Sequence, residues 1–499
     1  MMLKFRGIDF DVVEASDHVG GRCATHSFVG VGPDCAHDYY DMGAMRIPKI
    51  GSMKSTLNLI KSPSLLNIPD SLVEYVYTVY TVDCQGNPTY YEPFCYWYQN
   101  KDSPECVSPN CSKMLSKMCS RSSSPRYKST STRDRTTTPP GIFSCFLPPA
   151  SFNRALTETL SDYADFVQTD QKGWFRVEGG MSFVTDTMAA RLKSTIWPQA
   201  GATSIDVSLS TPAVAMSLAS DGRTIQVTTG GEKSSTNSYD MVFNTTALGP
   251  LQQMDLSGLN LDRDILDGIR ALSYDRATKV AINFNKRWWT GFYPNADAMH
   301  RGGGVSSSDF PLGFTVYPSW DNGDGTNVLI ASCAWAQDAS RMAALVPDYT
   351  DPSTPTPSYA GPIAAVCLEG LVKLWAGRQE APTLKDLHDY YITHYAWAWS
   401  HDLCTCGTFA LFGPGRFQNI YPNAHYAWIS GALDSVLFSV IKFLAARSTE
   451  SPDVATKALK LLASDSNPDK KHFEKNERGE HPEGDERLAY WCAEASAMK

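Results

Sequence analysis

The sequence has 499 residues, and its 42% hydrophobic content is enough to fill two or three globular domains. With 44 basic and 53 acidic residues the net charge is -9, and no long cationic block is present, which excludes nucleic acid and an anionic membrane surface as expected partners.

The 13 cysteines are odd in number and thinly spread. We therefore expect mainly free thiols and no metal site. No secretory signal is recognisable, so the cytoplasm is the default compartment, and secretion is the alternative if the true N-terminus lies upstream.

The first predicted strand lies in GIDFDVVEAS, residues 7–16, and ends at Glu14. HDYYDMGAMRIP, residues 37–48, then brings an aromatic pair to a glycine-containing turn. Residues 101–141 are rich in Ser, Thr, Pro and Arg, which predicts disorder, and LTETLSDYADFV that follows has helical spacing. In GWFRVEGGMSFVTDTMAARL a Gly-Gly turn precedes a predicted helix, whose apolar face carries Met181, Val184, Met188 and Leu192.

The second half of the sequence alternates strand and helix signals. Four segments predict strands: TIQVTTG, YDMVFNTTAL, ATKVAINFN and FTVYPSW. IAAVCLEGLVKLWAG predicts a helix, and a last helix is expected from about Ser430, with Leu433, Leu437, Val440, Ile441 and Leu444 on one stripe. Its apolar stretch VLFSVIKFLAA is too short to cross a bilayer and contains Lys442, so no membrane span is expected.

The segment VVEASDHVGGRCATH, residues 12–26, has the pattern of the second strand and turn of a nucleotide-binding βαβ unit. An acid at the end of such a strand accepts hydrogen bonds from a ribose, and Arg22 after the two glycines is a fork-shaped donor suited to a diphosphate. The glycine-rich fingerprint of the unit belongs about 20 residues before the acid. Only 13 residues precede Glu14 and they contain the single glycine Gly7, so we expect the first strand to lie before Met1.

These residues, followed by YYDMGAMRIP, resemble the flavin-dependent amine oxidase superfamily, and specifically its fungal L-amino-acid oxidase branch. The resemblance covers most of residues 8–50 and 172–445. Its further motifs occur in the family's order: WFRVEGGM, YDMVFNTTALGPLQQMDL, ALSYDRATKVAINFNKRWWT, GFTVYPSW, WAWSHDLCTCGTFALFGPGRF and HYAWISGALDS.

The resemblance implies an α/β fold with an α+β substrate lobe: a GR2-type FAD-binding domain assembled from discontinuous segments, here incomplete, and a substrate domain with a mixed sheet. The FAD-binding segments would be residues 1–45, 172–265 and 401–450, and the substrate segments 46–100 and 266–400. Residues 142–171 would be a remnant of a helical domain, and residues 451–499 a polar tail. The family's FAGE strand end, whose acid contacts the cofactor, has no counterpart here.

The resemblance also implies roles for individual residues. Glu14 would bind the adenosine ribose, while Gly20, Gly21 and Arg22 would approach the pyrophosphate. The flavin ring would pass close to Gly43, Ala44 and Met45, and Trp428 would lie over the substrate beside it.

For the reaction, the resemblance implies that Arg46 pairs with the substrate carboxylate, for which a planar guanidinium is suited. Lys279, in the strand ATKVAINF, would hold a water near flavin N5 and assist the reaction of reduced flavin with oxygen. Trp399 would line the substrate cavity together with the CGTFALFGPG turn.

The implied function is FAD-dependent oxidative deamination of L-amino acids to 2-oxo acids, with release of ammonia and hydrogen peroxide. The partners would be a small amino acid or amine and molecular oxygen, and the oligomeric state stays open. Two alternatives remain: an amine or polyamine oxidase of the same superfamily, in which Arg46 has no carboxylate to bind, and a truncated, non-catalytic remnant that cannot hold FAD.

Overall fold

The structure is a computed structural model. It describes residues 1–5, 7–28, 30, 37–49, 53–75, 79–82, 88–91, 95–96, 173–231, 234–292, 303–308, 310–319, 326–349, 356–376, 381–411, 433, 436, 439 and 440.

The helices in this part of the chain are α1 (Met2–Phe5), α2 (Lys54–Lys61), α3 (Ser182–Lys193), α4 (Leu248–Leu251), α5 (Arg263–Ala271), α6 (Ala336–Ala343), α7 (Pro362–Trp375) and α8 (Leu384–Tyr390). The strands of the first half are β1 (Val12–Val13), β2 (Thr25–Ser27), β3 (Tyr39–Asp41), β4 (Ile47–Pro48), β5 (Leu72–Tyr75), β6 (Val79–Val82), β7 (Pro88–Tyr91), β8 (Cys95–Tyr96) and β9 (Trp174–Val177). Those of the second half are β10 (Val207–Ser208), β11 (Ala213–Leu218), β12 (Ile225–Thr229), β13 (Thr236–Tyr239), β14 (Asp255–Gly258), β15 (Ser273–Tyr274), β16 (Ala277–Phe284), β17 (Val305–Ser308), β18 (Phe314–Val316), β19 (Val328–Trp335), β20 (Tyr391–Ala398) and β21 (Ala410–Leu411).

A six-stranded mixed sheet, in the order β20-β16-β19-β18-β17-β8, forms the centre of the described fold. Its strand β16 pairs antiparallel with β19 on one side and with β20 on the other. Every residue of β16 is buried, because both faces of the sheet are covered. A strand covered on both faces reads as a continuous run of apolar and small residues, which is the character of ATKVAINF.

The two faces of this sheet pack against different parts of the chain. On one face Val280 and Ile282 join the largest apolar cluster, which includes residues of α6 and α7. On the other face Ala281 packs with Phe28 and Tyr40 from the N-terminal segment. Because side chains alternate along a strand, this second face also receives Lys279.

Helix α3 begins directly after the Gly-Gly turn at 179–180, where both glycines have positive φ angles of 79° and 84°. The end of the helix is held by Lys4, whose ammonium donates to the backbone carbonyls of Arg191 at 3.1 Å, of Ser194 at 2.6 Å and of Leu192. A buried cation at a helix C-terminus satisfies carbonyls that have no partner inside the helix.

The remaining sheets are small. A three-stranded sheet, β4-β9-β5, joins the beginning of the chain to residues 174–177, and a parallel pair joins β1 to β10. Strands β13-β12-β11-β14 form a four-stranded sheet. The domain boundaries expected from the sequence stay a prediction.

The expected strands at ATKVAINFN and TIQVTTG and the expected helices at α3 and α7 are confirmed. The strand expected over YDMVFNTTAL is wrong: only Tyr239 lies in a strand, and residues 241–247 join no ladder in the described part of the chain. The amide of Thr246 instead donates to Oδ1 of Asn244, a local bond of the kind that competes with strand pairing.

Several expectations fall on residues outside the described ranges: the disorder of 101–141, the helix LTETLSDYADFV, the GPG turn and the polar tail. Of the last expected helix, Leu433, Val436, Ser439 and Val440 are described and helical, and Val440 is buried. None of the helices in the described ranges combines the length and the apolar character needed to cross a lipid bilayer.

Candidate active site

Lys279 lies on the face of the central sheet that meets the N-terminal segment, with Cys333 and Trp397 beside it as its cross-strand neighbours. The side chain is only 5% exposed, and its ammonium donates to the backbone oxygens of Asp41 at 2.9 Å and of Gly43 at 2.5 Å. Burial lowers the pKa of Lys279 below its usual 10.5, against opposing contributions from Cys333 and Asp41. The cation is thus almost fully buried and is fixed to the main chain of residues 41–43.

The same segment is fastened from the other side by the Asp41 carboxylate. Its Oδ1 accepts from the Thr25 hydroxyl at 2.6 Å and from the Met181 amide at 2.7 Å, at the beginning of α3. Burial raises the pKa of Asp41, although these hydrogen bonds and the charge of Lys279 oppose the rise. A carboxylate at this position also meets the positive end of the helix dipole.

Residues 42–44 are held against neighbouring groups at very close range. A Cβ on Gly43 would lie 1.7 Å from the Arg22 carbonyl oxygen, and the Ala44 amide donates to that oxygen at 3.1 Å. The indole of Trp399 donates to the Met42 carbonyl at 3.0 Å and is 2% exposed. Only glycine fits at position 43, and hydrogen bonds to Met42 and from Ala44 fix the path of the chain on either side of it.

Arg46 follows this segment and lies over two aromatic rings. Its guanidinium carbon is 5.2 Å from the ring centroid of Tyr75 and 5.5 Å from that of Trp174. These two residues are direct cross-strand partners in β5 and β9. The charge of Arg46 also lowers the pKa of Lys279, as a smaller contribution than burial. Two cations of different chemistry therefore act within one region of the protein.

The N-terminal loop places Glu14 at the end of β1, as expected from the sequence. Its Oε1 accepts from the amide of Ser16 at 2.9 Å and from its hydroxyl at 2.8 Å. Gly20 and Gly21 have positive φ angles of 103° and 51°. A Cβ on Gly20 would lie 2.5 Å from Oγ1 of Thr185 in α3, whereas one on Gly21 would meet nothing within 4 Å. Gly20 thus serves close packing and Gly21 the turn itself.

Arg22 extends from this loop to a distant part of the chain. Its Nη1 donates to the Tyr274 hydroxyl at 2.9 Å and to the Thr408 carbonyl oxygen. The guanidinium therefore joins the loop after β1 to the segment before β21.

Comparison with known proteins identifies the family of this chain. The profile of the flavin containing amine oxidoreductases matches residues 2–351, well over half of the 499-residue chain. The chain belongs to this family. Its fold, of helices and mixed sheets, is that of the FAD-dependent amine oxidases, and FAD is the cofactor.

Similar proteins in the family include L-amino-acid oxidase 4 of Hebeloma cylindrosporum, which is 25% identical over 528 residues, covering 89% of this chain and 79% of that protein. An L-amino-acid oxidase of Siganus canaliculatus is 24% identical and covers 87% of this chain and 81% of its own. A putative bifunctional amine oxidase of Dictyostelium discoideum is 26% identical over 505 residues, covering 88% of this chain and 44% of that protein.

The solved structures that the fold resembles are amine oxidases. A putrescine oxidase in complex with putrescine superimposes with a TM-score of 0.60 at 14% identity, covering 93% of this chain and 95% of that chain. Cyclohexylamine oxidase from Brevibacterium oxydans IH-35A gives a TM-score of 0.56 at 15% identity, covering 84% and 87%. At such identities the likeness shows the fold alone.

The described residues fit a flavin dinucleotide in the chemistry of their donors and acceptors. Glu14 offers a carboxylate for ribose hydroxyls, and Arg22 offers a cation suited to a diphosphate. Several buried polar atoms of the described residues have no hydrogen-bond partner, among them Oγ1 of Thr408, whose backbone oxygen accepts from Arg22, and Nε1 of Trp397, the cross-strand neighbour of Lys279. Buried polar atoms are rarely left without a partner, so these two are candidates for contacts with a bound ligand.

Sequence reasoning missed four residues of this site. Trp397 alternates with Trp399 in WAWS, so the prediction of a strand in that segment would have indicated that both side chains lie on one face. Asp41 had a signal as the acid after two aromatic residues, but its hydrogen bond to the beginning of α3 had none. Tyr75 and Trp174 are far apart in the sequence, and only their pairing brings them under Arg46. Trp428 lies outside the described residues, and its expected place over the substrate stays a prediction.

Proposed function

We propose that this protein catalyses the FAD-dependent oxidative deamination of L-amino acids. The overall reaction converts an L-amino acid, oxygen and water into a 2-oxo acid, ammonia and hydrogen peroxide. FAD, when bound, supplies the two-electron acceptor and the reaction with oxygen. The work of the chain is to bind the cofactor, orient the substrate and keep water and protons in place.

The observation that carries the proposal is the position of Arg46. Its guanidinium lies over Tyr75 and Trp174, and its charge acts on Lys279. A guanidinium binds a carboxylate through two parallel hydrogen bonds and stays charged at any working pH. An amine substrate has no carboxylate to pair with this guanidinium. The amino-acid oxidases among the similar proteins support the same substrate class.

In this proposal the other residues share the remaining tasks. Lys279 would hold a water for the reaction of the reduced flavin with oxygen, and Trp399 with Trp428 would line the substrate cavity. Gly43, Ala44 and Met45 would help to hold the flavin. Glu14 would bind the ribose, while Gly20, Gly21 and Arg22 would hold the diphosphate region.

The proposal is tested with pairs of substrates that differ only in the carboxylate: L-phenylalanine and 2-phenylethylamine, and L-leucine and 3-methylbutylamine. The purified protein should show the visible absorption of bound flavin and release peroxide with the acids. Arg46→Ala should lower kcat/KM for the acids by about a hundredfold or more, since two charge-assisted hydrogen bonds are worth about 3 kcal/mol together at the low end.

The matched control is Arg341→Ala, which removes an arginine whose Nη1 pairs with Asp338 on the surface, where its side chain is 56% exposed. This variant should leave both substrates unchanged. If the amines react better than the acids, and Arg46→Ala does not affect the acids, the protein is an amine oxidase instead. A colourless protein without bound flavin would contradict both functions and favour a non-catalytic remnant.

A further inference from the structure

We propose that Tyr75 and Trp174 are positioning residues that fix the Arg46 guanidinium in the plane needed to bind the substrate carboxylate. This inference rests on the proposed function and adds two residues to it. Neither residue contacts the reacting atoms in this proposal. Both act through Arg46.

The two rings form one platform because of the sheet register. Tyr75 and Trp174 are direct partners in the antiparallel pair of β5 and β9, so their side chains leave the sheet on the same face. Both ring centroids lie within 5.5 Å of the Arg46 guanidinium carbon. A cation that is held over two neighbouring rings has far less freedom of orientation than one over a single ring.

The platform is itself rigid. Tyr75 is 6% exposed and its hydroxyl donates to the Tyr317 backbone oxygen at 3.1 Å, so the ring is held at both ends. Trp174 is 3% exposed and packs in one apolar cluster with Tyr75, Val316 and Cys333. Rings in a close-packed setting do not turn away from the cation on their own.

The chemistry explains why stacking and carboxylate binding are compatible. Stacking uses the flat face of a guanidinium, whereas a carboxylate binds to the N–H groups at its edge. The platform therefore fixes the plane of the donors without occupying the donors. A lysine at position 46 would have no plane to fix, so the same platform would not orient its ammonium in this way.

The test separates orientation of the cation from its mere presence. We would prepare Tyr75→Leu and Trp174→Leu, which remove a ring, Tyr75→Phe, which keeps the ring and removes the hydroxyl, and Arg46→Lys. The readouts are KM and kcat for L-phenylalanine, and the binding of benzoate and of benzamide, followed by the change in flavin absorption. Benzamide has the shape of benzoate without its charge.

Removing either ring should raise KM for L-phenylalanine and the Kd of benzoate about tenfold, with kcat changed less and benzamide binding unchanged. Tyr75→Phe should stay within about twofold of the native protein. In the Arg46→Lys background the loss of a ring should have little further effect, because the guanidinium plane is already gone. Trp289→Leu is the matched control, because it removes a tryptophan that is 1% exposed in the apolar cluster on the other face of the central sheet. It should leave the benzoate Kd unchanged.

If the leucine variants fail to fold, phenylalanine and its fluorinated forms at position 75 keep the shape while weakening the ring quadrupole. The benzoate Kd should then rise stepwise with fluorination. The inference is overturned if the ring variants fold, hold flavin and bind benzoate as the native protein does while Arg46→Ala does not. If Arg46→Ala also binds benzoate and oxidises the acids normally, Arg46 does not bind the carboxylate and the inference falls with it. The proposed function fails instead if the native protein holds flavin and does not oxidise the acids.

Discussion

Replacing Lys279 by methionine should separate the stability of the site from its function. The native ammonium makes two hydrogen bonds to backbone oxygens, at 2.9 and 2.5 Å, and bonds from a charged donor are worth about 1.5–3 kcal/mol each. The lowered pKa of Lys279 nevertheless means that burial of the charge costs more than these contacts return. Methionine has a similar length and no charge to desolvate. We therefore expect the free energy of unfolding at pH 7 to stay equal or to rise by up to about 2 kcal/mol.

The pH dependence gives this prediction a definite sign. Between the lowered pKa of folded Lys279 and the unfolded value of 10.5, the unfolded chain binds more protons than the folded one. The native protein should therefore gain stability relative to Lys279→Met as the pH rises through this window. Urea unfolding of both proteins at pH 7 and pH 9.5, followed by tryptophan fluorescence, measures the difference.

Function should change in the opposite direction. If Lys279 holds the water that assists the reaction with oxygen, the reaction of oxygen with the anaerobically reduced flavin should be slower in Lys279→Met, by up to about a hundredfold. Stopped-flow absorption measures this step alone. The reasoning is refuted if the variant loses more than about 3 kcal/mol of stability and yet is oxidised at the native rate. Lys279 would then be a structural residue that holds residues 41–43 and nothing more.

Three further predictions concern the frame around the site. Gly43→Ala should lower the free energy of unfolding by about 3 kcal/mol or more, because its Cβ would lie 1.7 Å from the Arg22 carbonyl oxygen, whereas Gly21→Ala, with open space at φ 51°, should lose only about 1–2 kcal/mol by urea unfolding. Burial lowers the pKa of His394 to about 4, so the folded state binds fewer protons than the unfolded state between pH 4 and 6.5. The free energy of unfolding should therefore fall by on the order of 3 kcal/mol on acidification through that window. In His394→Gln this fall should be smaller. Burial lowers the pKa of Lys4 as it lowers that of Lys279, so its charge also costs more than its bonds to the carbonyls at the end of helix 182–193 return; Lys4→Met should leave the thermal midpoint equal or raise it, and a loss of more than about 3 kcal/mol would contradict this reasoning.

The residues that sequence reasoning located correctly are those whose signal is local. The run of small and apolar residues around Lys279 predicted a strand, and that strand, β16, is present and buried throughout. The Gly-Gly turn before a helix was equally readable, since both glycines have the positive φ angles that favour this residue. In both cases the pattern that carries the prediction lies within ten residues.

The error in YDMVFNTTAL has the opposite origin. Its apolar run predicts a strand, but a strand exists only where another strand supplies hydrogen bonds, and residues 241–247 join no ladder in the described part of the chain. A local bond between Thr246 and Asn244 is made there instead. The preferences of the residues favour a strand, but the strand forms only if neighbouring strands pair with it.

The Arg46 site shows the same dependence on distant partners at the level of function. Arg46 could be named from its motif, and a motif gives the residue type but not the orientation of its side chain. That orientation comes from Tyr75 and Trp174, which meet only because β5 pairs with β9 across a long stretch of chain. The substrate preference of the protein would then depend on the register of two short strands. A one-residue slip in that register would turn one ring to the other face and release the guanidinium, with Arg46 itself unchanged.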